Sequence, residues 1–337
     1  MSQELSFVQG DTTVPLISQT LGAYLDAMAT RYTHSEALVV AHQGVRWTYG
    51  ELQNHIDQLA ANFLSLGLVP GDRVGIWAPN CVEWVLTQFA TAKAGLILVS
   101  INPAYRRREL AYVLGKVACK ALVLSPQFKS SNYLEILQSL APELAQASAG
   151  ALRAQALPHL KFVIRMGEQP TPGMLNFDDL RRPAQPQAVR ELSLVQRELR
   201  PDDAVNIQFT SGTTGNPKGA TLTHRNILNN GFFVGEAMRL TPQDRLCIPV
   251  PLYHCFGMVL GNLACITHGS TMVFPGESFE PKAVLETVAA ERCTALHGVP
   301  TMFIAVLDHP AFASYDLSSL RTGIMAGAPC PVEVMRK

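Results

Sequence analysis

Apolar residues recur with helical spacing in several segments of this chain, and these segments predict amphipathic helices. Thr48 and Glu51 have the spacing of a capping box, and apolar positions from Leu52 to Leu66 then fall on one helical stripe. Gly67 is the expected end of this helix, because glycine readily adopts the left-handed conformation found at helix ends.

Shorter runs of apolar and β-branched residues between the helical segments predict strands. A second helix is expected to open at Asn80, with Glu83 three residues later, and to end near Gly95. Strands that alternate with helices form mostly parallel sheets with helices on both faces, so we expect an α/β fold. The stretch 181–190 is rich in Pro, Gln and Arg, which predicts a surface connection. The predicted strands cover residues 73–77, 96–101, 121–124, 204–209, 245–250, 271–274, 294–297 and 323–326.

The composition is that of a globular protein and gives no support to binding through bulk charge. Of the 337 residues, 47% are hydrophobic and 16% are charged, and the formal net charge is +0. This balance excludes a disordered chain, and it argues against nucleic acid or an anionic membrane as a partner. The basic run Arg106–Arg108 is predicted to be the solvated start of a helix.

The sequence shows no pattern typical of targeting, membrane spanning or zinc binding. Residues 1–10 have neither a basic region nor an apolar run, so no secretory signal is expected. The longest near-apolar stretch, 255–266, is shorter than the roughly 18 residues that a spanning helix needs. The seven cysteines are scattered without a C-x-x-C pair, and no two histidines have zinc-ligand spacing. We therefore expect reduced cysteines, no transmembrane segment and a cytoplasmic location.

A run of glycine and hydroxyl residues between positions 209 and 219 carries the clearest chemical signal. It spells Phe-Thr-Ser-Gly-Thr-Thr-Gly-Asn-Pro-Lys-Gly, follows the predicted strand 204–209 and precedes a helix for which Thr223 is a plausible N-cap. Glycines let backbone N–H groups approach a polyanion, hydroxyls donate hydrogen bonds, and Lys218 adds a positive charge. We predict a loop that binds a triphosphate; the alternative is a flexible surface turn with an unrelated lysine.

The run departs from two common phosphate-binding patterns and resembles a third. A Walker A loop ends in Gly-Lys-Ser/Thr, whereas Pro217 precedes Lys218 and Gly219 follows it, and the glycine spacing does not fit the dinucleotide fingerprint. The run instead resembles the phosphate-binding signature of the adenylate-forming enzymes, which include acyl-CoA synthetases, luciferases and peptide-synthetase adenylation domains. Within that family the chain is most similar to the medium-chain fatty acyl-CoA ligases. Further segments match in the same order, from about Leu21 onward: Asn102–Tyr105 with Glu109 and Leu110, Pro251–Gly257, Gly298–Met302 and Gly327–Pro329.

The resemblance implies an α/β fold of two packed, mostly parallel sheets flanked by helices. It divides the chain into an N-terminal extension, 1–19, and an incomplete AMP-binding N-terminal domain, 20–337. One lobe of this domain would comprise residues 71–235, and the other, discontinuous lobe would comprise 20–70 plus 236–337. The family's β-barrel part and C-terminal domain would lie beyond Lys337, so we expect a truncated N-terminal part.

The resemblance also implies roles for individual residues. His254 is the candidate catalytic residue, beside the acyl carboxylate and the α-phosphate. Thr210 is the candidate Mg²⁺ ligand, together with a glutamate that this chain does not contain. The candidate nucleotide-binding residues are Thr210, Ser211, Gly212, Thr213, Thr214, Gly215, Lys218, Gly327, Ala328 and Pro329. The candidate acyl-pocket residues are Gly257, Gly298, Val299 and Met302.

Each of these roles has a structural alternative. His254 follows a predicted strand and also fits a buried histidine satisfied by backbone groups. Gly327–Pro329 come between the predicted strand 323–326 and a helix with Pro329 or Pro331 in its first turn, so they also fit a tight turn. The four acyl-pocket candidates are equally suited to a packed core.

The activity implied by the resemblance is ATP-dependent, AMP-forming acyl-CoA ligation. ATP, Mg²⁺ and coenzyme A would be required, and the acid would be a fatty acid of medium chain length. Two alternatives remain open: a ligase for an aryl or other acid, and a non-catalytic nucleotide-binding fragment. The family's Mg²⁺-holding glutamate and adenylation lysine come after the position matching Lys337, so residues 1–337 alone are expected to be inactive.

Overall fold

Strands of this chain assemble into two large sheets. A computed structural model describes Gly10, residues 12–210 and residues 216–337. Within these residues there are a six-stranded sheet, a seven-stranded sheet and a small hairpin. The strands are β1 (Glu36–Val40), β2 (Val45–Thr48), β3 (Arg73–Trp77), β4 (Ile97–Ser100), β5 (Ala121–Leu124), β6 (Gln127–Phe128), β7 (Ser131–Asn132), β8 (Phe162–Arg165), β9 (Leu175–Asn176), β10 (Ala204–Thr210), β11 (Lys218–Thr223), β12 (Arg245–Cys247), β13 (Thr271–Phe274), β14 (Ala295–Gly298) and β15 (Thr322–Met325).

Helices connect most of the strands, as the alternating pattern predicts. Between α9 and α10 the backbone is π-helical over Met258–Leu263, so residues 255–268 form one continuous helix. No helix in the described parts of the chain is both long and apolar enough to cross a membrane. The α-helices are α1 (Leu21–Arg31), α2 (Tyr49–Ser65), α3 (Val82–Lys93), α4 (Arg107–Lys116), α5 (Tyr133–Leu140), α6 (Phe177–Leu180), α7 (Pro186–Glu198), α8 (His224–Met238), α9 (Cys255–Gly257), α10 (Ala264–His268), α11 (Pro281–Glu291), α12 (Pro300–Leu307) and α13 (Val332–Arg336).

Both sheets are mostly parallel, with an antiparallel strand at one edge. The six-stranded sheet has the order β15-β14-β12-β13-β1-β2, in which only β2 is antiparallel to its neighbour. The seven-stranded sheet has the order β11-β10-β4-β3-β5-β8-β9, in which only β11 is antiparallel. The predicted α/β fold of two mostly parallel sheets is thus confirmed. We keep as a proposal the division into lobes 71–235 and 20–70 plus 236–337, which the membership of strands in the two sheets supports.

Helix α3 joins the two sheets into one hydrophobic core. Every residue of α3 except Glu83 is buried. Its Trp84 and Phe89 belong to the same apolar cluster as Ile76 of β3 and Leu38 of β1. Helices α1 and α2 and strands β3 and β4 pack against α3, and a helix that is covered in this way can carry apolar residues around most of its surface.

Most of the predicted elements are present, and the capping box of α2 forms as expected. The strand expected over 245–250 pairs only over Arg245–Cys247, because Pro249 and Pro251 have no N–H to donate to a ladder. The helix expected to open at Asn80 begins at Val82, with Cys81 as its N-cap.

Three further expectations differ from the structure. The surface connection expected over 181–190 is helical from Pro186, because α7 buries Ala188 and Leu192. The glycine-rich run does not lead directly into a helix: β11 intervenes, because Lys218–Thr223 pairs with β10. The terminal helix expected from Pro329 begins at Val332, and Pro331 is its N-cap.

Candidate active site

The glycine-rich run lies between the antiparallel strands β10 and β11, and the described residues of this pair, 204–210 and 216–223, are here called the phosphate hairpin. Thr210 pairs with Lys218 across the hairpin, and its hydroxyl lies 3.5 Å from the Lys218 carbonyl oxygen. Both residues are exposed, so both side chains are accessible to a ligand. The other predicted phosphate-binding residues lie outside the described residues: Ser211, Gly212, Thr213, Thr214 and Gly215.

His254 is the N-cap of the helix that spans residues 255–268. Its Nδ1 accepts a hydrogen bond from the backbone N–H of Phe256 over 3.1 Å, which places the proton of the neutral ring on Nε2. Partial burial lowers the pKa of His254, because poorly solvated surroundings disfavour the charged imidazolium. His254 therefore presents a neutral Nε2–H donor, with one side of the ring held by the protein.

Asn80 fixes the segment before His254 to the seven-stranded sheet. Asn80 follows β3, and its Nδ2 donates to the Val250 carbonyl over 3.0 Å. Its Oδ1 accepts from the Leu252 N–H over 2.8 Å. Because Asn80 is buried, both hydrogen bonds are shielded from water, and the loop that leads to His254 is held against the other sheet.

A second contact brings the phosphate hairpin and the His254 helix together. Nε2 of Gln208, two residues before Thr210, lies 3.7 Å from Sδ of Met258, four residues after His254. The same amide donates to the Ser100 hydroxyl of β4 over 3.1 Å. The carboxyl end of β10, just before the glycine-rich run, and the first turn of the His254 helix are therefore neighbours.

A cleft of about 260 Å³ opens between the carboxyl ends of strands from both sheets. Its walls come from the loops after β3, β4, β12 and β13, from the β6–β7 hairpin and from Met302 of α12. Tyr133 fixes one wall, since its hydroxyl donates to the Pro103 carbonyl over 2.5 Å and its ring stacks on Trp77 at 3.6 Å. Tyr253, next to His254, also lines the cleft.

Two charged side chains lie in the lining of this cleft. Lys129 sits in the β6–β7 turn with a φ of 51°, a conformation that non-glycine residues rarely adopt. Its ammonium lies 5.4 Å from the centroid of the Phe128 ring. Glu277, after β13, contributes a carboxylate. The cleft thus combines largely apolar walls with one cation and one anion.

The Gly327–Pro329 turn follows β15 at the edge of the six-stranded sheet. Gly327 has a φ of 87°, and a Cβ there would lie 3.1 Å from Cγ1 of Val299, so glycine suits both the conformation and the space. Gly327, Ala328 and Pro329 are all exposed. The turn therefore offers open backbone to a ligand beside the end of β14.

The four predicted acyl-pocket residues do not line one open space. A Cβ on Gly257 would lie 2.5 Å from the Pro251 carbonyl oxygen, so this glycine allows close packing of the helix. Gly298 and Met302 line a small apolar cavity of about 10 Å³, which also borders Pro249 and Phe279. Met302 lines the larger cleft as well, whereas Val299 lines neither of these cavities.

Three residues of this region were not foreseen as part of the site. Asn80 was expected to cap a helix, although its place after a strand and a proline was a usable signal. Lys129 has no sequence signal, since a positive φ at lysine depends on tertiary context. His297 is buried beside the predicted Gly298 and donates from Nε2 to the Leu260 carbonyl over 2.9 Å. Burial lowers the pKa of His297 to about 4.

Sequence comparison identifies close relatives for almost the whole chain. The family model described as AMP-binding enzyme matches residues 25–337. A medium-chain acyl-CoA ligase of Mus musculus is 46% identical over 337 residues, which cover 98% of this chain and 55% of that protein. The Homo sapiens protein of the same name is 47% identical with the same coverage. A putative acyl-CoA synthetase of Bacillus subtilis is 46% identical, covering 95% of this chain and 58% of that one. The chain spans about half the length of the curated relatives it matches.

Solved structures share the two-sheet architecture. An anthranilate CoA ligase in complex with anthranoyl-AMP has a TM-score of 0.82 at 25% identity, covering 97% of this chain and 58% of that chain. A putative long-chain fatty-acid CoA ligase from Rhodopseudomonas palustris has a TM-score of 0.77 at 26% identity, covering 95% and 72%. The expected cytoplasmic location is contradicted by the names of the mouse and human relatives, which are given as mitochondrial proteins.

Proposed function

The chain belongs to the AMP-binding enzyme family, and from this premise we propose that it binds ATP and the acid of an AMP-forming acyl-CoA ligase. The proposed acid is a fatty acid of medium chain length, as in the name of the mouse relative. The proposal rests on one observation above all: the Gln208–Met258 contact holds the phosphate hairpin beside the helix that begins at His254. This contact supports a site in which the proposed triphosphate-binding residues lie near the neutral hydrogen-bond donor of His254.

In the first proposed half-reaction, the acid displaces pyrophosphate from ATP. A carboxylate oxygen attacks the α-phosphorus, the bond from this phosphorus to the bridging oxygen of pyrophosphate breaks, and an acyl-adenylate forms. Lys218 and the hydroxyl of Thr210 would bind the β- and γ-phosphates and stabilise the leaving pyrophosphate. The exposed turn Gly327–Pro329 would lie against the adenine.

His254 would act on the two anions that must meet in this step. Its Nε2–H would donate to the carboxylate or to an α-phosphate oxygen, which offsets their mutual repulsion and gains strength as charge develops. The Phe256 N–H holds the ring before the substrates arrive, so little reorganisation is needed during the reaction.

Thr210 suits a magnesium site in which the nucleotide supplies most of the ligands. Among the described residues no three His, Cys, Asp or Glu side chains are gathered as a metal site. Mg²⁺ in nucleotide sites takes most of its ligands from phosphate oxygens and water, and one exposed hydroxyl at the end of β10 can add to these. When bound, the ion would neutralise charge on the phosphates.

In the second proposed half-reaction, the thiol sulphur of coenzyme A attacks the acyl carbonyl carbon. The bond from this carbon to the phosphate oxygen of AMP breaks, AMP leaves and the thiol proton passes to solvent. The cleft beside Tyr253 would admit the flexible thiol arm, since its walls are largely apolar. Lys129 in its lining would attract the anionic end of the molecule.

A panel of acids tests the proposal on the full-length product of the gene. Pyrophosphate release and thioester formation are measured with ATP, Mg²⁺, coenzyme A and either octanoate, palmitate or anthranilate. Octanoate is expected to give the highest kcat/KM. Preference for anthranilate would favour an aryl-acid ligase, the second candidate, which the likeness to the anthranilate CoA ligase supports. ATP binding without pyrophosphate release from any acid would indicate a non-catalytic nucleotide-binding protein.

Substitution of His254 separates a catalytic role from a packing role. His254→Ala should slow adenylate formation roughly 100- to 1,000-fold, the usual cost of losing one donor to a developing oxyanion. His309→Ala is the matched control, because His309 makes the same contact, from Nδ1 to a backbone N–H two residues on, at a site away from the cleft. A large loss of melting temperature with normal turnover by the remaining folded enzyme would show that His254 is only structural.

A further inference from the structure

The helix that follows His254 contains an irregular turn. Its backbone is π-helical over Met258–Leu263, between α-helical stretches at Cys255–Gly257 and Ala264–His268. π-helical turns are rare and are often found at functional sites. This one starts four residues after His254, so any change in the turn rotates or shifts the segment that carries the imidazole.

Side chains from two other elements bind the carbonyl groups of this turn. Nε2 of His297, on β14, donates to the Leu260 carbonyl over 2.9 Å. Nε2 of Gln88, on α3, lies 3.4 Å from the Met258 carbonyl oxygen, and its Oε1 accepts from Nδ2 of Asn262 over 2.8 Å. His297, Gln88 and Asn262 are all buried, so these bonds form away from competing water.

His297 also contacts the residue that orients His254. The rings of His297 and Phe256 pack with their centroids 5.2 Å apart. The backbone N–H of Phe256 is the donor to Nδ1 of His254. A continuous set of contacts therefore runs from β14, through the turn and Phe256, to the His254 ring.

We propose that His297 and Gln88 are positioning residues for His254. They hold the π-helical turn in one register, and the turn fixes Phe256 and hence the direction of the Nε2–H bond of His254. This inference rests on the proposed role of His254 in adenylate formation. It makes two buried polar residues part of the catalytic arrangement through their hydrogen bonds to the turn.

The protonation of His297 suits a permanent structural donor. Burial lowers its pKa to about 4, so the ring stays neutral and keeps its Nε2 proton for Leu260 throughout the neutral pH range. Its Nδ1 has no hydrogen-bond partner in the described parts of the chain. The bond from Nε2 to the Leu260 carbonyl is the polar contact that ties this ring to the turn.

Three variants of the full-length protein test the proposal. His297→Leu and Gln88→Met remove the donors to the turn, whereas His297→Gln keeps an N–H donor in the same place. The measurements are the single-turnover rate of adenylate formation, the Kd for ATP and the ¹⁵N NMR signals of His254 in protein with labelled histidine. The first two variants should slow adenylate formation roughly 10- to 100-fold, as small misplacements of catalytic groups do. Their Kd for ATP should change less than this rate does, since neither substitution replaces a residue of the phosphate hairpin.

The NMR signals report the position of His254 independently of activity. In the unsubstituted protein they should show a ring protonated at Nε2 with Nδ1 in a hydrogen bond. His297→Leu and Gln88→Met should shift these signals toward a mixture of tautomers, and His297→Gln should restore both signals and rate. If the unsubstituted protein forms no adenylate, the proposed function fails, while the NMR shifts still decide whether His297 and Gln88 position His254.

The control is His268→Leu, which removes an imidazole contact to the Ala264 carbonyl at the far end of the same helix. It should lower stability without changing the His254 signals. The proposal is overturned if His297→Leu and Gln88→Met lower the melting temperature but leave the His254 signals and the rate of the folded enzyme unchanged. If His297→Leu does not fold, the same measurements on Gln88→Met and His297→Gln test the proposal.

Discussion

His254 and Lys218 are placed by the fold in opposite ways. His254 is held by a backbone N–H, and partial burial lowers its pKa, so it presents a neutral donor in a fixed direction. Lys218 is exposed at the first position of β11, where its long side chain can follow a flexible triphosphate. One residue is suited to a transition state of defined geometry, and the other to an anion that must enter and leave.

Removal of the Lys218 charge should weaken nucleotide binding. A charge-assisted hydrogen bond contributes about 1.5–3 kcal/mol, so Lys218→Ala should raise the Kd for ATP roughly 10- to 150-fold. Calorimetric titration of the full-length protein measures the change. Lys116→Ala, an exposed lysine on α4, is the control and should bind ATP normally. If the Lys218→Ala variant binds ATP as tightly as the unsubstituted protein, Lys218 is not part of the phosphate site.

Acid should destabilise the protein through two buried histidines. Burial lowers the pKa of His224 and that of His297 to about 4, whereas an exposed histidine titrates near pH ~6.5. Between these values the unfolded chain binds more protons than the folded chain, so the free energy of unfolding falls as the pH drops. The stabilisation is complete above pH ~6.5 and lost by pH ~4, with an upper limit of about 3 kcal/mol per histidine.

Urea unfolding at several pH values within this window measures the effect. His224→Asn should reduce the pH dependence by up to about half, because it removes one of the two histidines whose pKa is lowered to about 4. The asparagine Oδ1 lies near the position of Nδ1 and can still accept the hydrogen bond that His224 accepts from the Leu21 N–H. An unchanged slope in this variant would show that other groups cause the acid sensitivity.

At the scale of elements, the loop before His254 depends on the amide of Asn80. Asn80→Ala removes bonds to both Val250 and Leu252 and leaves two buried backbone groups without these partners. Each such loss costs about 1–3 kcal/mol, so the free energy of unfolding should fall by roughly 2–6 kcal/mol. The midpoint of urea unfolding measures it. Asn54→Ala, at an exposed position of α2, should change stability by less than about 0.5 kcal/mol.

Most elements could be predicted because their pattern of apolar residues is set by burial. The buried strands β3, β5 and β13 are short, mainly apolar runs, and the helix α2 is marked by its own capping box. Strand β11 was missed because Lys218–Thr223 contains a single large apolar residue, Leu222, and becomes a strand only by pairing with β10. The local sequence pattern therefore predicts the elements that pack in the core, and it misses a strand that forms only by pairing with a neighbouring strand.

The sequence predicts the site residues that lie in contiguous motifs. It does not predict those whose contacts join distant parts of the chain. Lys218 and His254 lie in contiguous motifs whose residue types suit phosphate binding and hydrogen-bond donation. Asn80, in contrast, has the sequence spacing of a helix cap, and only the fold shows that its amide bonds to the loop of the other sheet. The contact of His297 with Leu260 spans distant parts of the chain and has no sequence signature.

At the scale of the whole molecule, β15 is an outer strand of the six-stranded sheet and borders a groove. In the described part of the chain β15 pairs only with β14, and a groove of about 390 Å³ lies beside it. The groove is lined by Ile324 and Met325 of β15 and by Met335 of α13. An unpaired strand edge next to an apolar groove favours association with another chain.

Residues 1–337 expressed alone should therefore self-associate at micromolar concentration. Met335 is 66% exposed in the groove, so Met335→Lys should shift the protein toward monomer by placing a charge beside the open edge without disturbing the core. Light scattering coupled to size exclusion over a concentration series measures the mass. Leu194→Lys is the control, because Leu194 is similarly exposed, at 61%, but lies on α7 away from this edge. A monomer at all concentrations, or an equal effect of the control, would show that the β15 edge does not drive association.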